Sequence, residues 1–411
     1  MSTRRDAPHP SPVCGIIPPH LLAQIAAAGA DPQAEAAART LDIGRRVAGG
    51  REVRAARTSG SGASRSAAGL VPPHLRRRLE GTRPRVDAAS PADSAASPAA
   101  STGTVGTGEA AAPTEAAAVD RSIHDAEGGT TLPGDLVREE GQDPTGDESA
   151  DEAYDGLGAT WSLYHQAFDR DSLDDAGMEL VATVHYGQDF ENAFWDGEQM
   201  IFGDGDGVYF RSFTNAVDVI GHELTHGVVQ FTAGLIYVGQ PGALHESVAD
   251  CFGSMVKQQV QDQSAEEADW LIGEGVFTDA VHGEALRSMK APGTAYDDPV
   301  LGKDPQTASM DEYADLPHDA ENDNGGVHIN SGIPNRAFHL AATGIGGTSW
   351  EGAGLLWYDA LTRGGLPKDA DFTAFARATL AAAIERHGEG SPQHGAVAEA
   401  WRTVGVLGTR R

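Results

Sequence analysis

Residues 121–411 read as an α+β protein, with a β-rich N-terminal lobe at 121–215 and a mostly α-helical lobe at 216–411. Three features carry that expectation. Pieces such as 179–186 have strand-like composition, and Gly203-Asp204-Gly205-Asp206-Gly207 is a turn cluster. From 216 onward apolar residues recur at helical spacing, predicting helices at about 350–363, 371–387 and 395–404. A folded length of about 290 residues suffices to bury two cores around a cleft.

The preceding residues differ in composition. Residues 1–85 hold 14 Arg and no Lys against 6 acidic residues, a net of +8, in a chain of formal charge −30. A basic leader before an acidic body suggests electrostatic docking in cis, reinforced by effective concentration. A basic tail can also bind nucleic acid, but neither aromatic interleaving nor a binding module accompanies this one, so no nucleic-acid partner is expected. Residues 86–120, mostly Ala, Ser, Thr, Pro and Gly, read as a flexible linker. Cys14-Gly15-Ile16-Ile17-Pro18-Pro19-His20-Leu21-Leu22 contains a Pro-Pro pair, echoed at Pro72-Pro73. An extended segment of this kind is stiff before binding, so laying it in a cleft has a reduced ordering cost.

The most chemically loaded stretch is His222-Glu223-Leu224-Thr225-His226. Residues four apart share one face of a helix, so the two imidazoles converge where Zn²⁺ can bind. Glu223 reaches the edge of that site without ligating and suits a general base for an activated water. A catalytic zinc usually needs a third protein ligand. Val229 and Thr232 stand where a metzincin has its glycine and third histidine, which excludes that class. Glu246, in the helical stretch from Gly242 to Asp250, can complete a His₂Glu set. Asp250, one turn later, can orient a ligand imidazole. An ordinary first-turn glutamate is the other meaning of Glu246.

Together these segments resemble the thermolysin family of zinc endopeptidases, and the leader resembles the short prosegment of its protealysin-like branch. The matching pieces are Asn192-Ala193-Phe194-Trp195, the helix from Asp218 to His226, Thr232 to Tyr237, Gly242 to Asp250, Leu286-Arg287-Ser288-Met289, and Asp323 to Gly332. The resemblance implies a two-lobed thermolysin-like fold with one zinc ion in the cleft between the lobes. It makes Tyr237 and His328 donors to the oxyanion, with Asp323 orienting His328. Asn192 and the Ala193 backbone align the substrate main chain, Arg287 bonds the carbonyl beyond the scissile bond, and Leu286 lines the adjoining apolar pocket. It further implies hydrolysis of internal peptide bonds of proteins, a preference for apolar residues after the scissile bond, and a latent precursor whose own prosegment binds in cis. A catalytically silent zinc-binding protein that captures peptides is the alternative, against which the set Glu223, Tyr237 and His328 argues.

Two positions depart from the family pattern. His245 stands where asparagine is usual beside the ligand glutamate, and a ring titrating near pH 6.5 would make activity pH-dependent. Lys257 stands where thermolysin uses a glutamate for its calcium pair, while Asp218, Asp269 and Glu274 match the other acidic ligands. An ammonium there replaces the charge of calcium, so a double-calcium site is not expected. Cys14 offers a thiolate that could occupy the open zinc position in the latent form, whereas Cys251 is expected to be a buried thiol. Arg4-Arg5 leads into Asp6, Pro8 and Pro10 rather than an apolar run, so no signal peptide is visible, and no stretch is long enough to span a membrane. The family implies secretion, cytoplasmic residence is the alternative, and a monomer is expected.

Overall fold

The computed structural model describes residues 14–28, 31–59, 117–363 and 365–408. Those from 14 to 59 and from 119 onward belong to one compact unit. The Cys14 side chain, the second Pro-Pro pair and nearly all of the linker lie outside the described residues.

The sheet is built from β1 (Cys14–Gly15), β2 (Arg121–Asp125), β3 (Asp135–Glu139), β4 (Leu180–Val184), β5 (Ala193–Trp195) and β6 (Met200–Phe202), in the order β1-β5-β6-β4-β2-β3. The central β2–β4 and β4–β6 pairs are parallel, while the outer pairs, including β1–β5, are antiparallel. Buried Leu180, Ala182 and Val184 make β4 apolar, as a central strand requires. The edge strand β1 comes from the leader, so the leader completes the sheet.

Helix α1 (Pro19–Ala28) and helix α2 (Asp31–Ser59) follow β1. The Pro-Pro pair is not wholly extended: Pro19 opens α1, where its missing N–H has no intrahelical role to fill. The extended portion is 14–17. Ile16, Ile17, Leu21, Leu22, Ile25 and Ala37 of the leader are all buried in the main core. Each buried Ile or Leu contributes about 1.5–3 kcal/mol relative to exposure. Arg39–Asp189, at 3.2 Å, is the one ion pair among the described residues that joins leader to body, and both side chains are exposed. Among the described residues, docking therefore rests on apolar burial and main-chain hydrogen bonds more than on ion pairs.

Within 121–215 the 21-residue helix α3 (Glu148–Phe168), capped by Asp147 through the N–H of Ala150, adds a helical layer to the strands. The other lobe is helical: α4 (Val217–Phe231), α5 (Gly239–Val260), α6 (Asp323–Asn330), α7 (Gly332–Ile345), α8 (Leu355–Thr362), α9 (Phe372–His387) and α10 (Pro392–Thr403). Trp357 and Trp401 stack at 5.8 Å between α8 and α10 and anchor its core. Helices α4 and α5 meet through glycine. A Cβ on Gly253 would lie 2.4 Å from the Asp218 carbonyl oxygen, closer than any real contact. That approach sets one helix's histidines against the other's carboxylates.

Candidate active site

His222 and His226 lie one turn apart on α4, fully or nearly fully buried, with their Nε2 atoms 3.1 Å apart. Across the α4–α5 contact, Glu246 Oε2 is 3.5 Å from His222 Nε2 and Glu246 Oε1 is 3.7 Å from His226 Nε2. Helix α5 begins at Gly239, so Glu246 is two turns inside it and the first-turn explanation fails. Two imidazole nitrogens and a carboxylate converging in a buried pocket are a borderline-soft N₂O donor set, which fits zinc.

The surrounding shell holds these groups in place. His222 Nδ1 meets Asp250 Oδ1 at 2.7 Å. Asp250 also accepts two hydrogen bonds from Arg287, at 2.8 and 2.9 Å, and one from Asn335 at 2.8 Å. Burial alone would raise the Asp250 pKa, but Arg287 and then His222 outweigh it and hold the carboxyl well below its usual range. Asn335 has no signal in the sequence: it is one polar residue on a helix 85 positions from its partner.

Glu223 is fully buried on α4. Its Oε2 accepts the Trp195 N–H at 3.1 Å, while Oε1 has no partner and is free to handle a proton. Tyr237 precedes α5 and donates its hydroxyl to Glu246, with His328 Nε2 at 3.5 Å. Asp323-Asn324-Gly325-Gly326 takes four consecutive positive φ values, 54, 50, 90 and 72°. This left-handed run turns the Asp323 carboxylate onto His328, with Oδ1 at 2.6 Å from Nδ1 and Oδ2 at 2.8 Å from the main-chain nitrogen. Burial opposes charge on His328, yet Asp323 and Glu246 prevail and its pKa is raised.

His245 packs its ring 4.8 Å from that of His226, close to the main chain of Leu235 and His226. Burial lowers its pKa to about 4, so it is neutral at physiological pH. The expected titration near pH 6.5 is corrected accordingly. The Lys257 ammonium lies 2.7 Å from Asp269, 2.8 Å from Glu274 and 4.0 Å from Asp218. Cys251 is buried and burial pushes its thiol pKa up, consistent with a packing role.

The leader occupies the groove beside this cluster. Ile16 donates its N–H to the Ala193 carbonyl at 3.1 Å, and its own carbonyl accepts Arg287 Nη1 at 3.0 Å. Ile17 donates its N–H to Asn192 Oδ1 at 3.0 Å and accepts Asn192 Nδ2 at 3.2 Å. Leu286 is buried beside Arg287 in a small cleft that Pro18 and Leu21 also line. A cavity of about 320 Å³ remains between leader and site, lined by Gly15, His20, Asn192, Tyr237 and His328 among others.

A buried His₂Glu cluster able to hold a metal, with the chain's own leader laid in the groove beside it, is the arrangement of a metal-dependent peptidase precursor. Comparison with known proteins agrees. Residues 108–230 match the thermolysin metallopeptidase catalytic domain and residues 233–406 its alpha-helical domain. An extracellular metalloprotease of Pectobacterium carotovorum subsp. carotovorum is 55% identical over 287 residues, covering 70% of this chain and 81% of that protein. Protease PrtS of Photorhabdus sp. (strain Az29) is 50% identical over 286 residues, covering 70% and 76%. The solved precursor of protealysin, a metalloproteinase from Serratia proteamaculans, matches with a TM-score of 0.75 and 44% identity, over 96% of this chain and all of that one. The chain belongs to the thermolysin metallopeptidase family, in its protealysin-like branch.

Proposed function

We propose that this zinc endopeptidase precursor cleaves internal peptide bonds with Glu223 as proton carrier and Tyr237 and His328 as oxyanion donors, on a site completed by His222, His226 and Glu246. When bound there, zinc supplies Lewis-acid polarisation of the scissile carbonyl and acidifies a water. Glu223 takes the proton of the attacking water at Oε1 and delivers it to the leaving amine. The Tyr237 hydroxyl and the Asp323-oriented His328 donate to the oxygen that becomes negative. Asp250 keeps Nδ1 of His222 occupied, which presents Nε2 to the metal. Asn192, Ala193 and Arg287 align an extended substrate, and apolar residues are preferred after the scissile bond. No covalent enzyme intermediate is required.

The observation that carries this reading is the leader's own backbone on Asn192, Ala193 and Arg287, beside the histidine–glutamate cluster. Zinc-dependent hydrolysis of casein, abolished by a chelator and restored by added zinc, tests it. The leader, residues 1–85, acts as a prosegment in cis, and 86–120 is where it is cut. Mass spectrometry after incubation with zinc is expected to show self-cleavage between residues 85 and 121. An intact chain that binds zinc and peptide without cutting either would instead be the silent capture protein.

Lys257 takes the place of a calcium pair among Asp218, Asp269 and Glu274. The mature enzyme acts outside the cell as a monomer, in line with its extracellular relatives. No described helix is long and apolar enough to cross a membrane.

A further inference from the structure

The leader meets the site as an extended strand whose main chain is held residue by residue. Cys14 pairs with Trp195 and Gly15 with Phe194 in the antiparallel β1–β5 ladder. Ile16 donates its N–H to the Ala193 carbonyl at 3.1 Å, and its own carbonyl accepts Arg287 Nη1 at 3.0 Å. Asn192 closes on Ile17 with both amide atoms, accepting its N–H at 3.0 Å and donating to its carbonyl at 3.2 Å. Ile16 and Ile17 are 0% and 1% exposed, so the apolar positions after Gly15 are filled.

The Gly15–Ile16 peptide bond is the one this ladder sets before the proposed catalytic groups. On its N-terminal side, Glu223 Oε2 accepts the Trp195 N–H at 3.1 Å, and Trp195 lies opposite Cys14. On its C-terminal side, Arg287 takes the carbonyl of Ile16, the contact proposed above for the first residue beyond a scissile bond. Gly15 itself lines the same cavity as Tyr237 and His328. Glycine is what the position admits, because a Cβ there would lie 2.6 to 2.8 Å from three atoms of the Asn192 side chain. Asn192 cannot swing aside without giving up Ile17 and the Ala193 N–H, which its Oδ1 also accepts at 3.0 Å.

We propose that the latent chain is its own substrate at Gly15–Ile16, a second processing site apart from the linker. The proposal rests on the endopeptidase reading and names a bond for it. Water adds to the Gly15 carbonyl carbon, with Glu223 taking its proton while Tyr237 and His328 donate to the carbonyl oxygen. The C–N bond then breaks and Glu223 passes the proton to the Ile16 nitrogen, leaving a Gly15 carboxylate and an Ile16 amine. The bond is already held at the site, so the step is intramolecular and independent of chain concentration. Leader residues from Ile16 onward keep their buried contacts, among them Leu21, Leu22 and Ile25, so this cut alone leaves the groove covered.

The test follows the full chain after zinc is added, by intact mass and N-terminal sequencing, before and after roughly hundredfold dilution. We expect a new N-terminus at Ile16, formed with a first-order rate constant that dilution leaves unchanged, and not formed in Glu223→Gln. Gly15→Ala, which strains the Asn192 clamp, is expected to slow that cut about tenfold. In the zinc-free chain, which cannot cut, hydrogen exchange is expected to show the Ile16 and Ile17 amides protected. Processing in the linker with Gly15–Ile16 intact overturns the proposal. So does a rate that falls with dilution, an unslowed Gly15→Ala, or rapid exchange of both amides. Failure to cut casein, linker and leader alike counts instead against the endopeptidase reading.

Discussion

Glu223 is the residue on which the proposed chemistry turns, since one oxygen is tied to Trp195 and the other is unpartnered in a buried site. Glu223→Gln is expected to keep its zinc, measured by metal analysis, while kcat falls by about 10²–10⁴-fold. Casein cleavage at the original rate would remove Glu223 from the mechanism. His328→Ala deletes an oxyanion donor and is expected to lower kcat by roughly 10²–10³-fold with KM little changed. Asp323→Asn should produce a smaller fall in the same direction, because the amide still orients the ring but no longer favours its charge. A loss confined to KM in either variant would place the pair in substrate binding. At this scale most of the site was legible, because His222, Glu223 and His226 sit within one turn of helix. The neutrality of His245 was not, since ring type is visible in a sequence and burial is not.

At the scale of elements, the α4–α5 contact brings His222, His226 and Glu246 of two helices into one group able to hold a metal. Gly253 has no room for a side chain against the Asp218 carbonyl. Gly253→Ala is expected to cost ~1–3 kcal/mol in stability, by thermal or denaturant unfolding, and to weaken zinc affinity with it. Unchanged unfolding would mean that the helices can separate without penalty. The Lys257 cluster belongs to the same pair of elements. Lys257→Glu leaves a carboxylate facing Asp218, Asp269 and Glu274, and the melting temperature of that variant should rise with added calcium while the unmodified chain responds little. Equal calcium responses would contradict the substitution of charge for metal. Helices at 355–362, 372–387 and 392–403 follow the apolar spacing that predicts them. The helix at 148–168 did not stand out in a region dominated by strand and turn composition, and Pro18-Pro19 gave an extended reading to a pair that opens a helix.

For the whole molecule, the leader buries an apolar face against the main core, and the Glu191 carboxyl is fully buried in the same compact unit. Glu191 has a buried pKa of about 8 against an ordinary 4.5, so the folded state binds the proton more tightly. The sign follows: this group's contribution to the stability of the fold is present at acid pH and is lost as pH rises from about 4.5 toward 8. Melting of the inert Glu223→Gln chain should therefore lose stability across that window, and Glu191→Gln in the same background should flatten the slope. Identical slopes would show that other groups govern the pH response. The sequence by itself determined the family, the histidine pair with the glutamate between them, and the existence of a basic leader, because local spacing and composition carry those properties. Only the tertiary structure decided that the leader docks as an edge strand through Ile16 and Ile17, and that Asn335 steadies Asp250. It alone revealed that Glu191 is buried, with its main-chain N–H on Thr40. These depend on long-range packing, where burial and desolvation, invisible along the chain, fix which groups meet.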